Sequence, residues 1–131
     1  MADTNLSAVE VTLVVSATND HISFARLQAT AVAGKIGFDY DSIEDVRIAV
    51  SELCGTVIAC AAPGAQLHVD IRGDGDGLEV MGRVPMAAGS ALETDELSDQ
   101  VLSVVTDKYG YDAKAGEASF RMMRAARLAD E

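Results

Sequence analysis

The stretch IEDVRIAVSELCGTVIAC, Ile43 to Cys60, limits the possible folds of this chain more than any other. Ile43, Val46, Val50, Leu53 and Val57 recur at spacings of three and four, so they form one apolar stripe of an α-helix. Such a stripe needs a surface to cover. In the preceding FDYDS, Asp41 or Ser42 is the expected N-cap, with Glu44 and Asp45 in the first turn, where the helix dipole favours acids. Pro63-Gly64 marks the latest point at which the helix can stop. Asp45 and Glu52 lie seven apart and share a face, and Thr56 follows one turn on. Periodicity alone makes that strip a solvated edge.

The surface to be covered comes from the rest of the chain. VEVTLVVS, Val9 to Ser16, alternates and is β-branched, which predicts a strand. Asn19 or Asp20 can cap a helix to about Lys35, with Ile22, Ala25, Leu27, Ala29, Val32 and Ile36 apolar. QLHVDIR and LEVMGRV alternate on either side of GDGDG and predict a β-hairpin. PMAAGSALETD reads as a loop of small residues. Glu93 to Tyr109 is a third expected helix, with Leu97, Val101, Leu102, Val104 and Val105 apolar. Tyr111 to Met123 carries a final hairpin or strand pair, and Arg121 to Arg127 reads as a basic tail trailing into LADE. The order β-α-α-β-β-α-β(β) predicts an α+β fold: a two-layer α/β sandwich with a mixed sheet covered on one face. Residues 1–131 are expected to be a single domain.

Charge excludes one class of partner. Ten Lys and Arg stand against 21 Asp and Glu, a formal net of −11, and such a surface repels a phosphate backbone. Direct nucleic-acid binding is not expected. No run approaches the ~20 apolar residues of a membrane span, and MADTNLSAVE lacks a basic n-region followed by an apolar h-region. No membrane association and a cytoplasmic location are therefore the expectations.

Most chemical motifs reduce to structure. GDGDG lacks the Lys-Ser/Thr of a P-loop and the later Glu of an EF-hand, and glycine with positive φ in a hairpin turn accounts for it. His21 and His68 have no triad partners nearby in sequence and read as structural or surface histidines. Cys54 and Cys60, six apart on one helix, point to different faces, cannot bridge each other, and read as small buried hydrophobes. No Cys/His cluster predicts a metal site.

IEDVRIAVSEL resembles the nucleotide-site helix of the anti-sigma-factor serine kinases of the RsbW and SpoIIAB type, within the GHKL ATPase superfamily. That helix has the form (I/L)-x-(D/E)-(I/L)-x-x-A-(V/I)-x-E-x-x-x-N. SFARLQATAVAGKIGF, Ser23 to Phe38, is similar to the family's preceding helix, including its Phe-Ala-Arg start. The likeness runs from about Val9 to Val84, and beyond that holds in element order only. It implies a Bergerat-type sandwich, the fold of histidine-kinase-like ATPases.

Residue by residue, the resemblance makes Glu52 the catalytic carboxylate that orients or deprotonates the attacking group near the γ-phosphate, and it places Thr56 where the family has its Mg²⁺-ligating asparagine. A threonine hydroxyl is shorter than an Asn carbonyl, and it donates where the amide oxygen only accepts. After the hairpin the family has Asp-x-Gly-x-Gly, whose Asp accepts the adenine amine. This chain reads GRVPMAAGSALE there, with no Asp between Arg83 and Leu92, and the glycine-rich lid is missing. Arg26 matches the arginine that faces partner proteins. The resemblance thus implies a regulator with a degenerate ATP site that binds a sigma factor, a STAS-type anti-anti-sigma antagonist, or both, as a homodimer and without a cofactor. The alternative it leaves open is an active protein-serine kinase that uses ATP and Mg²⁺, with Glu52 as base.

Overall fold

A computed structural model describes residues 8–126. The N-terminal segment before them, and Arg127 with the LADE that follows, lie outside the described residues. The elements run β1 (Val9–Ser16), a 3-10 turn (Asn19–His21), α1 (Ile22–Lys35), α2 (Tyr40–Ile58), β2 (Gln66–Asp74), β3 (Gly77–Pro85), α3 (Glu96–Val105), β4 (Lys108–Lys114) and β5 (Glu117–Ala125). The five strands form one sheet in the order β1-β2-β3-β5-β4, with helices over one face. This is the α+β two-layer sandwich that the element order predicts.

The sheet is not mixed, however. All four neighbouring pairs are antiparallel. Two helices, not one, lie between β1 and β2, so the chain re-enters the sheet from the end at which it left, and β2 must run against β1. A single helical crossover would have made them parallel.

The α2 stripe meets its surface as expected. Val46, Val50, Leu53 and Val57 are fully buried over β3 and β5, and share one continuous core with Leu67, Val69 and Ile71 of β2, Val80 of β3 and Met122 of β5. Burial of each such side chain stabilises by ~1.5–3 kcal/mol before entropy is counted. Two glycines make room for close packing, Gly73 between the layers and Gly82 within the sheet. A Cβ on Gly73 would stand 2.8 Å from Val32 of α1, and one on Gly82 would run into the Phe120 ring. Within GDGDG, then, Gly73 serves packing, whereas Gly77, at φ 148°, serves the turn.

Several boundaries and faces differ from expectation. Asp39 caps α2, its carboxylate accepting from Ser42 N at 2.8 Å, so the helix begins before both Asp41 and Ser42. α1 starts at Ile22 after the 3-10 turn rather than directly after a cap at Asn19 or Asp20. Its Leu27 faces solvent at 64% exposure. α3 is shorter than Glu93 to Tyr109: Asp95 caps it, and Tyr109 belongs to β4, where it alternates with Tyr111. Within α3 only Leu102 and Val105 are buried. Arg121 and Arg124 are not tail residues. Both lie in β5, and Arg124 points inward at 4% exposure.

Candidate functional site

The Asp45–Glu52–Thr56 face of α2 is no solvated edge. It turns toward the C-terminal half of the chain and makes a different contact at each level. At the N-terminal end, Asp45 Oδ2 accepts from Arg124 Nη2 of β5 at 2.8 Å. The same nitrogen donates to Ser42 Oγ at 3.3 Å, and Arg124 Nε is buried without a partner.

Two turns on, Glu52 Oε1 accepts from the Ser98 hydroxyl of α3 at 2.8 Å. Ser98 is the third residue of α3, and its N–H donates to the cap Asp95 at 2.7 Å, so cap and contact set the same turn. Thr56 directs its hydroxyl proton back into its own helix, to Glu52 O at 3.0 Å. Beside it, the Tyr111 hydroxyl of β4 is buried with no hydrogen-bond partner. Burial pushes the Tyr111 phenol up, and the Glu52 charge adds to that rise. A cavity of about 360 Å³ opens next to this cluster, lined by Thr94, Ser98, Asp99, Leu102, Tyr109 and Tyr111. A larger hollow, of about 680 Å³, lies over the uncovered sheet face around Met81, Gly110 and Ser119.

The loop between β3 and α3 is stitched to the end of α2. Ala87 N donates to Cys60 O at 2.9 Å, Ala62 N to Pro85 O at 2.9 Å, and the Ser90 hydroxyl reaches Cys60 O at 3.1 Å. Met86 N donates to Gly116 O at 2.8 Å in the β4–β5 turn. The segment in which an adenine acceptor would be sought is thus held by backbone bonds and one serine.

Arg26 lies apart from this cluster. It is half-buried at the seam between α1 and α2, donating to Ser51 Oγ at 3.3 Å. Cys54 is fully buried and Cys60 nearly so, and both are free. Burial pushes the Cys54 thiol up to about 12, with Arg26 opposing. His21 packs edge-on against Phe24, with ring centroids 5.6 Å apart. No group of three or more His, Cys, Asp or Glu able to hold a metal occurs among the described residues.

Two site residues escape sequence reading. Ser98 is 46 positions from Glu52, and no local pattern joins them. Arg124 had a signal: it shares the inward parity of Ala118, Phe120 and Met122 in β5.

A three-helix, five-strand antiparallel sandwich with an acid on the second helix, facing the third, defines a class: the GHKL-type ATPase folds. The model of the histidine kinase-like ATPase domain matches residues 15–108, and the chain belongs to that family. Within it the chain is similar to the serine-protein kinases RsbW. It is 35% identical over 48 residues to that of Halalkalibacterium halodurans and 35% identical over 49 residues to that of Bacillus thuringiensis (strain Al Hakam). Those stretches cover 37% of this chain but only 30% and 31% of the two kinases, so the match spans about a third of their length. The crystal structure of the RsbU and RsbW domains of Rv1364c from Mycobacterium tuberculosis shares the fold, with a TM-score of 0.68 at 16% identity. The match covers 92% of this chain and 34% of that one.

Proposed function

We propose that this chain is a regulatory member of its family that acts by binding protein partners, a sigma factor or a STAS-type antagonist, and that its nucleotide site is degenerate. The observation that carries this reading is the state of the two α2 residues. Glu52, the acid expected near a γ-phosphate, is held by Ser98, and Thr56 has turned its hydroxyl into its own helix. A general base must reach the proton it abstracts, and a magnesium ligand must present lone pairs to an open site. Ser98 already engages one of the two Glu52 oxygens, and the Thr56 hydroxyl, its proton given to Glu52 O, is a shorter-reaching ligand than an Asn carbonyl. The adenine side adds to the mismatch: residues 84–91 contain no carboxylate, and an unpaired exocyclic amine is a costly thing to bury. The residues present do not fit Mg-ATP.

Arg26 is the proposed contact with the partner. Its guanidinium is fixed at one nitrogen by Ser51 and is only half-buried, which leaves further donors for a partner carboxylate. Family likeness also supports a homodimer. The test is reconstitution with the sigma factors and STAS proteins of the source organism, followed by size-exclusion chromatography without added nucleotide. At least one should co-elute, and Arg26→Glu should weaken that complex at least tenfold with no change in Tm. Failure to form a complex with any of them would overturn the reading.

A further inference from the structure

We propose that the free edge of β1 is where a second copy of this chain joins the first, the two β1 strands pairing antiparallel about a two-fold axis at Thr12. The sheet order leaves β1 and β4 at its edges, and an edge strand offers a row of unpaired N–H and C=O groups to any other strand. β4 is defended. It has seven residues, with Lys108 and Lys114 at its ends and Gly110 and Asp112 between them. β1 has none of these devices. VEVTLVVS contains no Lys, Arg, Gly or Pro. Its register with β2 runs from Val9 opposite Gly73 to Ser16 opposite Gln66 without a skipped residue, so no bulge twists it away. Among the described residues no strand pairs with its outer side. The core is also left open here. Val9, Val11, Leu13 and Val15 face inward yet are only half-buried, whereas Leu67, Val69 and Ile71 on β2 are at most 1% exposed.

Charge and side-chain rows select the occupant. With a formal net of −11, two copies repel unless they meet where acids are few. α1, whose Val32 packs over Gly73 at this end of the sheet, contains no Asp or Glu. Phe24 and Leu27 on it are 49% and 64% exposed. Phe24 is held beside the end of β1: the His21 ring packs on it, and His21 Nδ1 lies 3.3 Å from Ser16 O. Glu10 is the one charge on β1, and Arg72 of β2 donates to it at 2.7 Å. With Thr12 opposite Thr12, Val11 faces Leu13 and Val9 faces Val15 on the inner side, and Glu10 faces Val14 on the outer side. Every inward side chain then meets an apolar one, no acid meets its like, and both helical layers stay on one side of a continuous sheet. An extended segment of an unrelated protein would match the backbone but has no such agreement of rows. The proposal rests on the homodimer reading above and gives that dimer its interface.

The test uses the full chain, with sedimentation and disulfide trapping. Opposed residues of antiparallel strands have Cα atoms ~4.5–5.5 Å apart, within the ~4.4–6.8 Å that a disulfide spans. Under mild oxidation Thr12→Cys should form a covalent dimer, Cys54 and Cys60 being buried and out of reach. Glu10→Cys and Val14→Cys chains should cross-link when mixed but not alone. Val14 is 43% exposed, so a charge placed there should leave the circular dichroism unchanged. Val14→Glu should weaken the dimer at least fivefold, because it meets Glu10 twice about the axis, whereas Val14→Lys should not weaken it. A dimer that persists without Thr12→Cys cross-linking, or that Val14→Glu and Val14→Lys affect alike, would overturn the edge pairing and leave the homodimer reading standing. A parent chain that stays monomeric at about 0.1 mM would overturn both.

Discussion

Removing the Asp45 carboxylate should cost this protein more than removing the arginine it pairs with. Arg124 sits at 4% exposure, with Nη2 2.8 Å from Asp45 and Nε unpartnered. Asp45→Ala leaves that guanidinium buried without a counter-charge. Breaking a buried pair from one side costs ~3–5 kcal/mol, and because the Asp45 side chain is 30% exposed, water can reach part of the gap. The lower end, about 3 kcal/mol, is the expected loss. For a chain of 131 residues that corresponds to a fall in Tm of about 10 °C. Arg124→Met removes the charge together with its unsatisfied Nε and fills similar volume, so it should stay within about 1 kcal/mol of the parent. The double variant should then resemble Arg124→Met, recovering most of the loss. Urea unfolding followed by circular dichroism measures all four corners of the cycle, a suitable probe because the chain has no Trp. An Asp45→Ala cost below about 1 kcal/mol, or additive effects in the double variant, would refute the view of Arg124 as a buried, singly compensated charge.

Three further outcomes follow from the packing and the candidate site. Gly82→Ala should destabilise by ~1–3 kcal/mol in the same urea assay, because its Cβ would enter the Phe120 ring space; an unchanged midpoint would contradict that. Ser98→Ala should loosen α3 locally, raising its amide exchange about fivefold for ~1 kcal/mol lost, while β2 and β3 amides keep their protection. Uniform or absent change would remove the Ser98–Glu52 bond from the account. For Cys54, the folded thiol titrates near 12 against an ordinary 9.0, so the unfolded chain loses its proton first as pH rises. That thiol's contribution is whole below about pH 9 and declines toward pH 12, by up to ~1.4 kcal/mol per pH unit. Comparing the parent with Cys54→Ala across that range should isolate the slope, and identical slopes would count against it.

How far the sequence carried the reading depends on whether the controlling interactions were local. β1 and the β2–β3 hairpin follow from alternation and turn glycines, and the α2 stripe from its three-four rhythm, because a period is a property of neighbours. The cap of α2 was harder to locate: FDYDS offers Asp39, Asp41 and Ser42, and tertiary packing lets the helix start a turn before its first apolar residue. Periodicity overextends α3 because Tyr109 continues an apolar pattern that β4 in fact uses at period two. Leu97 and Val104 of α3 read as core in the sequence yet stand in water, since an apolar residue at helical spacing does not reveal whether a surface waits for it. The Glu52–Ser98 and Asp45–Arg124 contacts span 46 and 79 positions. Only the fold brings them together, and they change Glu52 from a charged edge into an engaged side chain.

The central claim is that this pocket no longer takes the nucleotide its ancestry suggests. Isothermal titration of the full chain with Mg-ATP tests it most directly. No saturable heat is expected at nucleotide concentrations up to about 1 mM, an interaction weaker than ~4 kcal/mol. Micromolar binding that disappears in Glu52→Ala would contradict the account.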